Sequence, residues 1–137
     1  MSNEKESIMS NKAVINSDLA PAAIGPYSQA IKAGNTVYCS GQIPLDPATM
    51  ELVKGDFATE ARQVFTNLKA VCEEAGGSLS EIVKVNLYLV DLENFATLNQ
   101  VMEEFFTAPF PARAAVGVKA LPKGAEIEAE AVMVIGD

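Results

Sequence analysis

Two stretches of the chain repeat their apolar residues at helical spacing, and each lies between segments with strand periodicity. From Ala61 the apolar positions are Ala61, Val64, Phe65, Leu68, Val71 and Cys72. That is one face of a helix of about five turns, with Gly76-Gly77 as its stop. The second stripe, Phe95, Leu98, Val101, Met102, Phe105 and Phe106, begins near Asp91 or Leu92 and ends before the prolines at 109 and 111. Between them "VKVNLYLV" sets Val83, Val85, Leu87 and Leu89 against Lys84, Asn86 and Tyr88, the alternation of a half-buried strand. Upstream, "AIKAGNTVYCSGQIP" places two β-prone runs around Gly34-Asn35, a tight hairpin. Downstream, strands are expected at about Ala114–Val118 and Ala125–Ile135, with a further one near Ala13–Ile15. Strands joined through helices favour parallel pairing and right-handed crossovers, and two helices cover one face of a sheet. The expected fold is therefore of the α/β class, an α+β two-layer sandwich. It has a mixed sheet of about six strands, two helices on one face and the other face open. Pro44 to Gly55 reads only as a loop.

Side chains alternate along a strand, so each strand divides its residues between the two faces. In the last strand Ile127, Ala129, Ala131, Met133 and Ile135 suit the helices, leaving Glu126, Glu128, Glu130, Val132 and Val134 opposite. Ala114, Val116 and Val118 are likewise expected beneath the helices, which turns Arg113, Ala115 and Gly117 to the open face. Tyr38 and Ser40 stand opposite Val37 and Cys39. Ser40, Arg113 and Glu128 would then share the open face with a patch of apolar residues, the mark of an interaction surface.

A length of 137 residues suits one domain. Residues 13–137 are expected to form it, and 1–12 are read as a flexible extension, with Met9 opening a second start-like stretch. No run approaches the roughly 18 apolar residues of a membrane span, and no apolar segment near the N-terminus signals secretion. A cytoplasmic protein is expected. Cys39 and Cys72, 33 positions apart, match no zinc or redox spacing and read as core residues. A net charge of −8 disfavours nucleic acid as a partner, because affinity for it comes from clustered Lys and Arg. The absence of histidine removes the commonest metal ligand and general base, leaving carboxylates, backbone and water for acid–base chemistry.

The one arginine in an otherwise small and β-branched stretch, "FPARAAVGV", stands out, since an unpaired guanidinium is costly to desolvate. An ion pair with Glu128 or Glu126 is one explanation; a carboxylate brought by a substrate is the other. Together with "APAAIGPYSQAI", "SGQIP", "FATLN" and "LPKGAEIEAEAV", this stretch resembles the Rid/YjgF family of reactive intermediate deaminases, in its RidA branch. The likeness runs from about Ala20 to the C-terminus with the motifs in order. It implies a chorismate-mutase-like fold and a homotrimer whose sheets form a central barrel with the helices outside.

The resemblance also implies hydrolysis of reactive enamines and imines such as 2-aminoacrylate and 2-iminobutyrate to 2-keto acids and ammonia, with no cofactor and no metal. These imines arise from pyridoxal-phosphate dehydratases acting on serine or threonine. The family's clamping arginine falls on Arg113 and its water-associated glutamate on Glu128, the two residues expected to be catalytic. Tyr27 of "GPY", Ser40 of "SGQIP" and Asn99 of "FATLN" fall on pocket positions. Ala115 stands where many relatives carry cysteine, and there the family uses the backbone carbonyl to hold water. The loop before "FPAR" is shorter than in some relatives. The expected partners are small imino and keto acids and two further copies of the chain, not nucleic acid or membrane. The alternative is a trimeric module that binds keto acids or amino acids in the same clefts and regulates without turnover.

Overall fold

The computed structural model describes residues 12–136. The expected N-terminal extension lies outside them apart from Lys12. The elements in chain order are β1 (Ala13–Ile15), β2 (Ala30–Ala33), β3 (Thr36–Gln42), α1 (Phe57–Glu74), β4 (Ile82–Leu89), α2 (Phe95–Phe105), β5 (Ala112–Gly117) and β6 (Ile127–Val134). They form one six-stranded mixed sheet in the order β1-β2-β3-β6-β4-β5, with both helices on one side. β6 runs antiparallel between β3 and β4, while β5 pairs parallel with β4 at the edge.

Local chemistry sets the boundaries. The β2–β3 hairpin closes with Ala33 opposite Thr36, and Gly34 at φ 61° supplies the left-handed turn position. Asp56 caps α1 by accepting from the Thr59 N–H at 3.0 Å, so the helix starts four residues before the apolar stripe. Gly76, at φ 93°, takes the chain out of that helix. A short 3₁₀ turn over Leu92–Asn94 leads into α2, which stops at Phe105, ahead of the prolines.

The core lies between the helices and one sheet face. Val64, Phe65, Leu68, Val71 and Cys72 of α1 are sealed against Val37, Val85, Leu87, Ile127 and Met133, each fully buried large side chain contributing about 1.5–3 kcal/mol. Phe65 packs on Phe105 and edge-on against Phe106, with ring centroids 5.5 and 5.6 Å away, which locks α2 to α1. Arg62 also joins the helices, in a two-pronged pair with Glu104 at 2.9 and 3.1 Å. Cys39 and Cys72 are buried free thiols, as expected. No helix among the described residues is long and apolar enough to cross a membrane.

Two expectations about strand faces fail. Val83 is exposed rather than inward, because a register shift between Ile82 and Lys84 lets Ile82 take the buried position. The second concerns β5. Its parallel register sets Arg113 beside Val85, Ala115 beside Leu87 and Gly117 beside Leu89, all on the helix-covered face. Ala114 and Val116 instead stand beside Asn86 and Tyr88 on the open face. Crowding acts at the end of the strand: a Cβ at Gly117 would sit 3.2 Å from the Leu92 side chain, so the helix side takes glycine there, while Arg113 at the other end has room to reach Asn99. Val116, 47% exposed, goes to the other side.

Candidate functional site

The open face bears two polar rows at its centre. Glu128 of β6 is level with Tyr88 of β4 and Val116 of β5, and Glu130 is level with Asn86 and Ala114. Asn86 donates to Glu130 at 3.1 Å, fixing that carboxylate. Glu128 lies against Gly41: a Cβ built there would come within 2.9 Å of Glu128 Cδ, nearer still to its oxygen. Glycine is therefore needed at 41 to make room for the carboxylate, not to permit an unusual backbone angle. Burial against this wall, aided by the charge of Glu130, pushes the Glu128 carboxyl above the usual carboxylate range. Burial and the same Glu130 charge also push up the neighbouring Tyr88 phenol.

Glu128 opens into a cavity of about 740 Å³ whose lining includes Tyr27, Ser40, Gly41 and Glu130. Its lips are largely apolar, with Pro21 and Ile24 on one side and Ile43, Leu45 and Met50 on another. Ser40 donates its hydroxyl to the Ser28 carbonyl at 2.6 Å, so its oxygen meets the cavity mainly as an acceptor. Tyr27 is 53% exposed at the rim.

Arg113 lies elsewhere, on the helix-covered face of the edge strand and two strands away from β6. Its guanidinium donates to Asn99 Oδ1 at 2.6 Å, reaches Met102 Sδ at 3.6 Å and stacks over Phe95 with 5.0 Å to the ring centroid. The ion pair with Glu128 or Glu126, the alternative to a substrate clamp, is not formed. Among the described residues Arg62–Glu104 is the one salt bridge, and Glu126 instead donates its backbone N–H to Glu60 Oε1 at 3.1 Å. Ala115 sits two residues on from Arg113 on the same face, half-buried against the core.

The expected site residues thus form two groups. Tyr27, Ser40 and Glu128 converge on the open-face cavity, while Arg113, Asn99 and Ala115 gather at the helix-covered edge. Sequence reasoning missed Gly41, Phe95 and the buried amides of Gln29 and Asn67 that hold the cavity lips. Gly41 follows Ser40 directly, but nothing in "SGQIP" tells that Glu128 rests on it. Among the described residues no three His, Cys, Asp or Glu side chains gather as a metal site requires.

Comparison with known proteins agrees on one family. The model described as endoribonuclease L-PSP matches residues 17–135. A 2-iminobutanoate/2-iminopropanoate deaminase of Dermatophagoides farinae is 52% identical over 93% of this chain and 99% of its own. The crystal structure of RidA from an Antarctic Psychrobacter superposes with a TM-score of 0.87 at 55% identity, covering 90% of this chain and 99% of that one. Escherichia coli TdcF, solved with bound serine, gives 0.86 at 39% identity, with coverage of 91% and 100%.

Proposed function

The chain belongs to the endoribonuclease L-PSP family, the YjgF/Rid family, and from that membership we propose that it is a 2-iminobutanoate/2-iminopropanoate deaminase, hydrolysing reactive imines and enamines to 2-keto acids and ammonia. The deaminase names of its relatives support this reading. The observation that carries it is a complementary pair of unfinished groups. Among the described residues Arg113 is oriented by Asn99 and Phe95 with no carboxylate in a salt bridge to it, and Glu128 stands in a cleft with no cation in a salt bridge to it.

A 2-imino acid has a carboxylate at one end and an electrophilic C2 beside it. The Arg113 guanidinium takes the carboxylate through charge-assisted hydrogen bonds, which sets the direction of C2. Its other contacts, on Asn99 and Phe95, keep the fork from turning. 2-Aminoacrylate reacts as its imine tautomer, after a proton adds to its terminal carbon. Glu128, ionised, accepts a proton as water attacks C2 of the protonated imine, giving a carbinolamine. Transfer of that proton to nitrogen breaks the C–N bond and ammonia leaves, while the carbinolamine hydroxyl gives up its proton to Glu128 or to water and the C2 oxygen becomes the keto group. A carboxyl raised above the ordinary range is a better base near neutral pH than a free one, while burial keeps water in a fixed geometry. The reaction as written uses no cofactor.

Arg113 and Glu128 of one chain face opposite sides of the sheet, so a small substrate does not bridge them within that chain. We infer that the site closes between copies in a homotrimer, the Arg113 group of one chain meeting the Glu128 cleft of the next, with the open faces turned together. The row Val14, Ile31, Tyr38 and Val132, level across four strands of that face, supports the packing. A cytoplasmic location fits the source of such imines. An RNA-cleaving role, which the family description names, finds little support in the cleft: it sets Glu128 and Glu130 against Lys123 at its rim, in a chain of net charge −8 without histidine.

The test is keto-acid release from 2-aminoacrylate and 2-iminobutyrate, generated by a dehydratase with semicarbazide as competing trap. Wild type should accelerate release, and Arg113→Ala and Glu128→Gln should each remove most of the acceleration. Refolding those two variants together should return about one working site in four by random assortment. No acceleration by the wild type overturns the reading. Keto-acid or amino-acid binding without turnover, left intact in Glu128→Gln, favours instead a metabolite-binding regulatory module.

A further inference from the structure

The loop between β3 and α1, unassigned by its sequence, forms one wall of the Glu128 cleft. It is a small closed hairpin: Leu45 bridges Leu52, Asp46 N–H donates to the Glu51 carbonyl at 2.9 Å, and Val53 N–H to the Pro44 carbonyl at 3.0 Å. Asp46 organises the tip by accepting from Ala48 N–H at 2.8 Å on its side chain and from Met50 N–H at 2.7 Å on its carbonyl. At that tip Met50 has φ 60°, the left-handed region that side chains other than Gly, Asn and Asp seldom occupy. The turn geometry would accept glycine more easily, yet the position carries a long thioether that lines the cleft.

The loop is also fastened from behind. Asn67 of α1, fully buried, donates to the Leu45 carbonyl at 2.9 Å and to the Ile43 carbonyl at 3.4 Å, and accepts from Gln63 at 2.8 Å. The facing lip has its own buried amide. Gln29, 2% exposed, accepts from Ser17 N–H and donates to the carbonyls of Ser17, Ala20 and Pro21. An amide with every site engaged in the interior makes a rigid anchor. Both lips are therefore preformed walls, and the strained Met50 backbone is held by the surrounding turn.

Resting on the deaminase reading, we propose that Met50 is a specificity-determining residue, its thioether contacting the hydrocarbon part of the imino acid while the polar ends go to Arg113 and Glu128. The adjacent Leu45 and Ile43 extend the apolar wall, and a thioether adapts to substrates of different shape. The cleft then favours 2-imino acids with several side-chain carbons over 2-iminopropanoate.

Imino acids derived from leucine and from alanine, generated in place by a flavin amino-acid oxidase with semicarbazide as trap, test this in the full chain. Met50→Gly suits the left-handed backbone and so keeps the loop folded. It should lower the ratio of kcat/KM for the leucine-derived over the alanine-derived substrate about tenfold, the order expected for a few lost methylene contacts. Met50→Leu, similar in volume, should return the ratio to within about threefold of wild type. A ratio unchanged within about twofold in Met50→Gly, with the wild type active on both substrates, overturns this inference alone. A wild type inactive on both overturns the deaminase reading with it.

Discussion

The Glu128 cleft and the Arg113 edge hold their chemistry in opposite ways. Glu128 is built in: its carboxylate lies on Gly41, its neighbour Glu130 is tied to Asn86, and the lips above it hang from buried amides. Arg113 is exposed on an edge strand and kept in line by one carboxamide and one aromatic ring. On the proposed function, the difference follows from what each group would do. A base has to be raised from its ordinary pKa and aimed at a water, which calls for burial and fixed neighbours. A clamp has to remain unpaired until an anion arrives, and a guanidinium stays permanently charged at the surface without a desolvation cost.

The comparison breaks most sharply at Arg113. Its removal leaves the substrate carboxylate without a partner, so Arg113→Ala should lower kcat/KM by about 2–5 kcal/mol, or roughly 30-fold to several-thousand-fold, in the semicarbazide competition assay. A smaller loss would mean that the cleft alone binds the carboxylate. On the other side, Gly41→Ala tests whether Glu128 is fixed by its seat. The added methyl overlaps the carboxylate and displaces it, and a displacement of this size should cost about 100-fold in kcat with the fold intact by circular dichroism. Unchanged turnover would show that Glu128 works from more than one position.

Asn99→Ala removes the acceptor that aims Arg113 but leaves Phe95 in place, so a loss of about tenfold, mainly in KM, is expected from steady-state kinetics. The smallest effect is a shift in pH dependence. In the proposed mechanism Glu128 acts ionised, so activity should fall as pH drops through its folded pKa, which lies above the ordinary glutamate value. Burial, the larger cause, stays in Glu130→Gln, while the like charge goes. The acid limb of the kcat/KM profile should therefore move to lower pH without reaching that of a free carboxyl. An unmoved limb would assign the titration to another group.

Most of the architecture was readable because burial leaves a period. The α1 stripe and the alternation in β6 are each forced by one apolar side, and both match the structure. Edge strand β5 has no such contrast. "ARAAVG" is small on both faces apart from Arg113 and Val116, and the valine points outward while glycine takes the inner place beside Leu92. Alternation of bulk therefore gave Arg113 the wrong face, although its partner Asn99 and the lack of a salt bridge to it among the described residues fit the clamp role that the family likeness implies. Val83 was misplaced for a related reason, since a bulge changes the phase of a strand without changing its composition. The lips of the cleft were not legible at all. Their order comes from Gln29 and Asn67, polar residues whose burial depends on contacts 8 to 24 positions away in the chain.

The position of sulfur in the molecule acquires a meaning under this chemistry. An imine carbon that water can attack is also open to any accessible thiolate. The chain's two thiols are sealed between β3 and α1, at 6% and 0% exposure, and residue 115, two places beyond the clamp, is alanine. The hydrogen bond between the two thiols pushes Cys72 toward its protonated form and lowers the pKa of Cys39, so it is burial that keeps both sulfurs from a substrate. On the deaminase reading, a site that would meet reactive imines at every turnover keeps the chain's two thiols out of their reach.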